Sequence, residues 1–332
     1  GENMIRTARA RRVAGAAFCA SVSRARRREG GRADLALLNG AEPRTLDPAR
    51  ATDYVSMRVL DGLHEGLLAL SPGAQEPAPG AAEAWGCSGD GLVWRFRLRE
   101  GLRWSNGDAL GAGDFAWSWR RLLTEPEASY ANLFDGIAGA RAFREGRGAW
   151  EEVGIAAPDP RTLVVRLAHP VPYFPHLVAF TPFHPVHRST VEAHPRRWTR
   201  PGVHVGNGPF VLEEHRIRYR IRLRRNPLYW DAANVGMETV DLFAHESAET
   251  ALHLYLAGDL DWVHRLPHPL LPRLRSRPDF VSGPSFSTHF LRCNVTRPPL
   301  DDPLVRRALS RAVDRGEIVR AVTQGGEAPT PS

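Results

Sequence analysis

The 332-residue chain contains no lysine; all 44 of its basic side chains are arginine. No physical demand would keep lysine from every exposed site, so this absence reads as coding bias. Cysteine is scarce, with three residues (Cys19, Cys87 and Cys293) too widely separated for a metal-binding pair. The odd count excludes a disulfide framework, and buried or semi-buried thiols are the expectation. No run approaches the roughly 18 consecutive apolar residues of a membrane-spanning helix. Also missing are the GxSxG nucleophile elbow, the phosphate-binding GxxxxGK[ST] loop and the HExxH zinc motif. His184, His187 and His194 are nominal metal ligands, but Pro185 and Pro195 interrupt any helix that would align them. With no nucleophile–base pair either, the sequence points away from an enzyme and calls for no metal and no cofactor.

What is present is the profile of a globular protein, 42% hydrophobic and 24% charged, long enough for two or three domains. The formal net charge is +7, and its distribution decides what it means. Residues 1–32 hold nine arginines against Glu2 and Glu29, and the remainder is balanced. The body therefore has no net attraction for phosphate, and no nucleic-acid partner is expected. Met4, the arginines that follow it and the short apolar run Val13–Val22 resemble a damaged export signal. Cys19 is the position for a lipid anchor, although Phe18 is bulky for that role. A disordered basic leader explains residues 1–32 equally well.

Along the body, residues 33–39 read as a strand, and 53–63 as a helix capped by Thr52 or Asp53. Residues 64–70 look extended, and a Pro/Gly-rich linker covers 71–80. Leu92–Arg99 alternates, with Trp94, Phe96 and Leu98 on one face. Asp114 is placed to cap a helix running to Leu123, and 162–167 is another strand. Ile217–Arg224 alternates strictly, apolar against arginine, as one half-buried strand with a solvated Arg face; a specific anion site is the sharper alternative. A strand at 240–244, a helix at 248–256 and an amphipathic helix at 302–313 follow. Asp314 and Glu317 form a capping box for a last short helix to Val322. The acidic pairs Glu151-Glu152 and Asp301-Asp302 read as caps at segment edges. The nine tryptophans suit a core, and also clefts that hold extended ligands.

Taken in order, several of these segments form a pattern. Leu63-His64-Glu65-Gly66-Leu67-Leu68 is followed by Ala82-Glu83-Ala84-Trp85 and Trp94-Arg95-Phe96-Arg97-Leu98-Arg99. Trp104-Ser105-Asn106-Gly107-Asp108 and Ser118-Trp119-Arg120-Arg121-Leu122 come next. Gly206-Asn207-Gly208-Pro209-Phe210, Arg225-Asn226-Pro227-Leu228-Tyr229-Trp230 and the segment Val305–Arg315 complete it. The order resembles the oligopeptide- and dipeptide-binding proteins of bacterial ABC importers, and it runs over residues 35–332. Each motif also has its own physical reading. Gly206–Pro209 is expected to make a tight turn that glycine and asparagine tolerate cheaply. Gly66 lets another backbone approach.

The resemblance implies an α/β, periplasmic-binding-protein-like fold of type II. It has two lobes, an extra domain on the first, and a second lobe incomplete here. It implies a first lobe from 33–77 and 185–286, an inserted domain over 78–184, and the start of the second lobe at 287–332. It implies a monomeric extracytoplasmic receptor, periplasmic or membrane-anchored, that captures peptides and hands them to an ABC-transporter membrane permease. A same-fold receptor for another solute, a sensor or chaperone, and a decayed gene product are the alternatives. In the family, Glu65, Gly66 and Leu67 would pair with the bound peptide like an added strand. Tyr130 would line the cleft, and Thr288, His289 and Phe290 would lie near the ligand where the chain enters the second lobe. Family members continue well past Gly325–Pro329, so a half-built second lobe and poor solubility are expected of this length of chain.

Overall fold

The computed structural model describes residues 2–6, 32–73, 75–283 and 288–329. In chain order its strands are β1 (Glu2–Arg6), β2 (Leu35–Leu38), β3 (Leu68–Leu70), β4 (Pro77–Pro79), β5 (Ala82–Cys87), β6 (Val93–Leu98) and β7 (Ile155–Asp159). They continue with β8 (Thr162–Arg166), β9 (Phe210–Arg216), β10 (Arg220–Arg225), β11 (Thr239–Phe243), β12 (Trp262–Val263) and β13 (Phe280–Gly283). The longest helices are α1 (Tyr54–Leu63), α2 (Ala112–Thr124), α3 (Ala248–Leu256) and α4 (Pro303–Ala312). The chain divides into two compact units, residues 9–246 and residues 1–8 with 247–332.

The larger unit contains two sheets of consequence. In the first, β2 lies parallel to β11, and β10 joins β11 and β9 antiparallel. All four residues of β2 are buried, as a strand covered on both faces requires. Helix α1 starts where Asp53 accepts from the Ser56 amide (2.8 Å) and packs Met57, Val59, Leu60 and Leu63 inward. The second sheet runs β5–β6–β8–β7, antiparallel throughout. The alternation read in β6 holds here: Phe96 and Leu98 are buried beside Leu163 and Val165 of β8. Helix α2 covers that face with Phe115, Trp119 and Leu122, and the Trp119 indole donates to the Phe183 carbonyl (2.9 Å). Trp104, Phe134, Phe174 and Phe183 complete this core.

Four local expectations change. Asp114 does not cap α2; Gly111 does, and Asp114 sits one turn in, accepting from the Gly111 amide (2.8 Å). The linker at 71–80 contains β4, which closes a short hairpin onto β3. Cys87 is exposed, because it ends the edge strand β5; Cys293 is half-buried. The alternating 217–224 segment is not one strand. Arg216 pairs directly with Arg220, Arg218 takes a left-handed φ of 57°, and Ile217 and Tyr219 are exposed at the turn. A three-residue hairpin with one left-handed residue does this without the glycine or asparagine that would have announced it.

The arginine face of β10 carries no open anion site. Asp241, buried on β11, receives Arg222 through Nε (2.7 Å) and Nη2 (2.8 Å), and Arg220 pairs with both Glu214 and Asp241. Arg224 meets Glu213, and Arg225 meets Glu238.

In the smaller unit, β1 runs antiparallel between β12 and β13. Residues 2–6 thus form a strand of this sheet; pairing between backbones needs no side-chain signature. Residues 7–31, including Val13–Val22 and Cys19, lie outside the described residues. Ser247 caps α3, and Asp302 caps α4 as the reading of the Asp301-Asp302 pair has it. Leu304 and Leu309 stand exposed on α4. No helix among the described residues is long and apolar enough to cross a membrane.

Candidate functional site

Three motifs of the sequence converge on Glu65. The extended segment 64–67 leaves the C-terminus of α1, where the His64 amide closes the helix on Leu60 O (2.7 Å). Asn207 grips the next residue at both backbone groups. Its Oδ1 accepts from the Glu65 amide (3.1 Å), and its Nδ2 donates to the Glu65 carbonyl (2.8 Å). One side-chain amide thus reproduces the two bonds of a strand neighbour. The flanking glycines permit this. A Cβ on Gly208 would lie 2.6 Å from His64 N and from Leu63 C. The glycines of 206–208 are therefore required by close approach and not, as expected, by a turn with positive φ.

The Glu65 carboxylate is held by the 225–230 motif. Tyr229 Oη donates to Oε1 (2.5 Å) and Trp230 Nε1 donates to Oε2 (2.7 Å). The Arg99 guanidinium lies 3.6 Å above the Trp230 ring, a cation–π contact. Burial pushes the Glu65 carboxyl up to about 7, against the two hydrogen bonds and the Arg99 charge, which favour ionisation; the Asp231 charge adds slightly to the rise.

Gly66 shows the close approach expected of it. A Cβ there would sit 2.9 Å from Val178 O and from the His184 ring. The carbonyls of Gly66 and Leu67 accept from the Ala81 and Ala82 amides (3.1 and 2.9 Å). Leu67 is fully buried. Behind the segment lie His64, His184 and His204. The facing Nε2 atoms of His64 and His204 are 3.0 Å apart, one donating and the other accepting. Burial holds His184 and His204 down at about 4, and His64 well below the usual imidazole range with help from the charges of His204 and His184. All three are neutral at pH 7. Of the other histidines considered as ligands, His187 spends its ring on Thr190 (2.7 Å) and Asp108 (2.9 Å), and His194 is exposed.

Tyr130 is half-buried, its ring edge-on to Phe180 at 5.3 Å. Phe180 and His184 belong to one short stretch, so the same stretch touches Tyr130 at one end and Gly66 at the other. Thr288, His289 and Phe290 belong to the smaller unit, where all three are exposed. The residues that sequence reasoning passed over are Asn207, Tyr229, Trp230 and Arg99. They were legible as motif members, but nothing in the spacing said that they meet at Glu65.

The larger unit thus combines a buried parallel strand pair with a glycine-framed extended segment held by side-chain amide and carboxylate contacts. Its fold is that of the type II periplasmic binding proteins. The structure matches the periplasmic oligopeptide-binding protein OppAIV of Borrelia burgdorferi with a TM-score of 0.86 at 32% identity, covering 89% of this chain and 60% of that one. It matches Haemophilus influenzae OppA in complex with RPPGFSPFR with a TM-score of 0.80 at 31% identity, covering 89% and 59%. In sequence it is 34% identical over 294 residues to the oligopeptide-binding protein OppA of Bacillus subtilis, covering 87% of this chain and 54% of the relative. Residues 76–332 match the family model for bacterial extracellular solute-binding proteins, family 5. The chain belongs to that family. It spans about half the length of the curated relatives it matches.

Proposed function

We propose that this chain is the ligand-capturing part of a peptide receptor, one that delivers oligopeptides to the membrane permease of an ABC importer and performs no catalysis. The observation that carries this reading is the anchored 65–67 segment. It is a rigid, extended stretch of backbone, and its relatives include a receptor solved with a peptide bound. Main-chain pairing along such a segment gives affinity with little demand on side-chain identity. Because Asn207 takes both Glu65 backbone groups and the Gly66 and Leu67 carbonyls receive Ala81 and Ala82, main-chain bonds to a ligand here would fall to the Gly66 and Leu67 N–H groups. Glu65, Gly66, Leu67 and Tyr130 are the ligand-binding residues of the larger unit on this reading, and Thr288, His289 and Phe290 are those of the smaller. Residues 33–77 and 185–286 are read as the first lobe, with 78–184 as the domain added to it. The whole acts outside the cytoplasm as a monomer.

Native mass spectrometry of the purified chain tests this. Heterogeneous short peptides retained by the protein, and lost in a Gly66→Val variant, are the expected result. A single sugar or metal chelate in their place overturns the reading.

A further inference from the structure

His64 and His204 depend on a single shared proton. Their Nε2 atoms face each other at 3.0 Å, with the rings edge-on and their centroids 5.0 Å apart. Such a bond exists only while one ring carries hydrogen on Nε2 and the other does not. The pair ties together two stretches of the larger unit. His64 ends α1, and His204 begins a strap over residues 204–208. The strap is also stitched down at three other points. The Gly208 amide donates to the Leu63 carbonyl (3.0 Å), the Ser105 amide donates to the Gly206 carbonyl (2.9 Å), and Asn207 holds Glu65. His64 is buried, whereas His204 is half-buried, with its Nδ1 inaccessible and without a hydrogen-bond partner. We propose that the His64–His204 contact is an acid-labile latch: protonation of the pair releases the 204–208 strap from the end of α1 while the rest of the larger unit stays folded. The latch goes beyond ligand capture and does not rest on it.

A further proton puts N–H groups on both facing nitrogens. The hydrogen bond is lost, and a positive charge is left beside a second donor in a buried place. Among the described residues no carboxylate pairs with either ring. The acids and bases on the packed elements are engaged elsewhere. Asp61 on α1 accepts from Thr181 (2.8 Å), Glu65 holds Tyr229 and Trp230, and His187 meets Asp108 (2.9 Å). The Trp198 ring stacks on His204, and the Arg121 guanidinium lies 5.4 Å from that indole, bound to Asp47. Burial opposes charge on His64, the charges of His204 and His184 add to this, and the Pro185 carbonyl favours it. Burial opposes charge on His204 and on His184 as well, and the Ala179 carbonyl favours it on His184. Being half-buried, His204 reaches water with less movement than His64, so it is the strap that lifts. Asp61 and Glu65 keep partners outside the strap and stay in place when it does.

The test is amide hydrogen exchange, read by NMR on the nitrogen-15-labelled 332-residue chain at pH 6.5 and pH 5.0. Each rate is divided by that of an unstructured amide at the same pH. The Glu65, Gly206 and Gly208 amides report on the strap. The Leu98 and Leu167 amides, bonded to the Arg161 and Leu92 carbonyls, report on the second sheet. A freed imidazole takes up protons from its ordinary value of about 6.5 downward, so strap protection is expected to fall about tenfold per ring and about a hundredfold for the pair. Leu98 and Leu167 fall less, because wider unfolding also frees Asp61 and Glu65, whose buried carboxyls oppose it. In His204→Phe one ring remains, and the fall at the strap shrinks to about tenfold. His64→Phe gives the same result and serves if the first variant does not fold. An equal fall at strap and sheet in the wild type means that acid unfolds the whole unit, and the proposal fails. Strap protection that ignores pH, or a fall undiminished in the phenylalanine variants, overturns it too.

Discussion

Glu65 is fixed at both backbone groups and both carboxylate oxygens, and its partners come from two stretches far from it in the chain, Asn207 and the adjacent pair Tyr229 and Trp230. Such a residue is legible as a motif letter and illegible as a site, because the sequence shows neither distance nor direction. Gly66 is the contrast: a glycine in an extended run announces close approach, and its neighbour proves to be Val178 with His184. Gly208 was read for the wrong reason, since its value lies in the missing Cβ and not in its φ. Gly208→Ala is therefore expected to destabilise the protein by about 2 kcal/mol or more, because the new methyl meets the backbone of Leu63 and His64, which cannot move aside like a side chain. Thermal unfolding measures it; a melting point unchanged within error would show that the two segments have slack.

Among elements, the strands with one buried face were readable and the turn between β9 and β10 was not. Alternation of apolar residues and arginine ran unbroken through the hairpin, and no glycine marked the reversal. What the arginines do was hidden for the same reason. Their acidic partners sit on β9 and β11, up to 21 residues away in sequence, so only the strand register pairs them. Asp241 is buried and shared by Arg220 and Arg222. Asp241→Ala leaves two partly buried cations without their central partner, and a loss of about 3 kcal/mol in urea unfolding is expected. Glu213→Ala, which breaks the exposed pair with Arg224, should cost less than about 0.5 kcal/mol. Similar losses for the two variants would refute the distinction.

At the scale of the whole molecule, stability should respond to pH through the histidines behind the 64–67 segment. Their ordinary value is about 6.5 in an unfolded chain. His184 and His204 titrate at about 4 in the fold, and His64 is also held low. Between those limits the unfolded chain binds protons that the folded one refuses, so stability falls as pH drops from 6.5 towards 4. Glu65 acts in the opposite sense. Its carboxyl is raised to about 7, so its contribution is full below its unfolded value and is lost as pH rises through 7. Asp61, its carboxyl pushed up to about 6 by burial, acts in the same sense as Glu65. The three histidines outweigh the two carboxyls, and the urea midpoint is expected to fall between pH 6.5 and 4.5, with a shallower fall in His204→Phe. A flat profile would mean that these imidazoles are hydrated and free to charge. The sequence by itself determined which segments become helix or strand wherever one face is buried, because the period of apolar residues records that burial directly. It also determined the family, because the order of motifs survives in one dimension. Only the tertiary structure decided that residues 99, 207, 229 and 230 gather around residue 65, that the arginine face of β10 is neutralised, and that residues 2–6 join a sheet with strands more than 250 residues away. Each of these rests on contacts between side chains or backbones distant in the chain, and local patterning carries no record of such contacts.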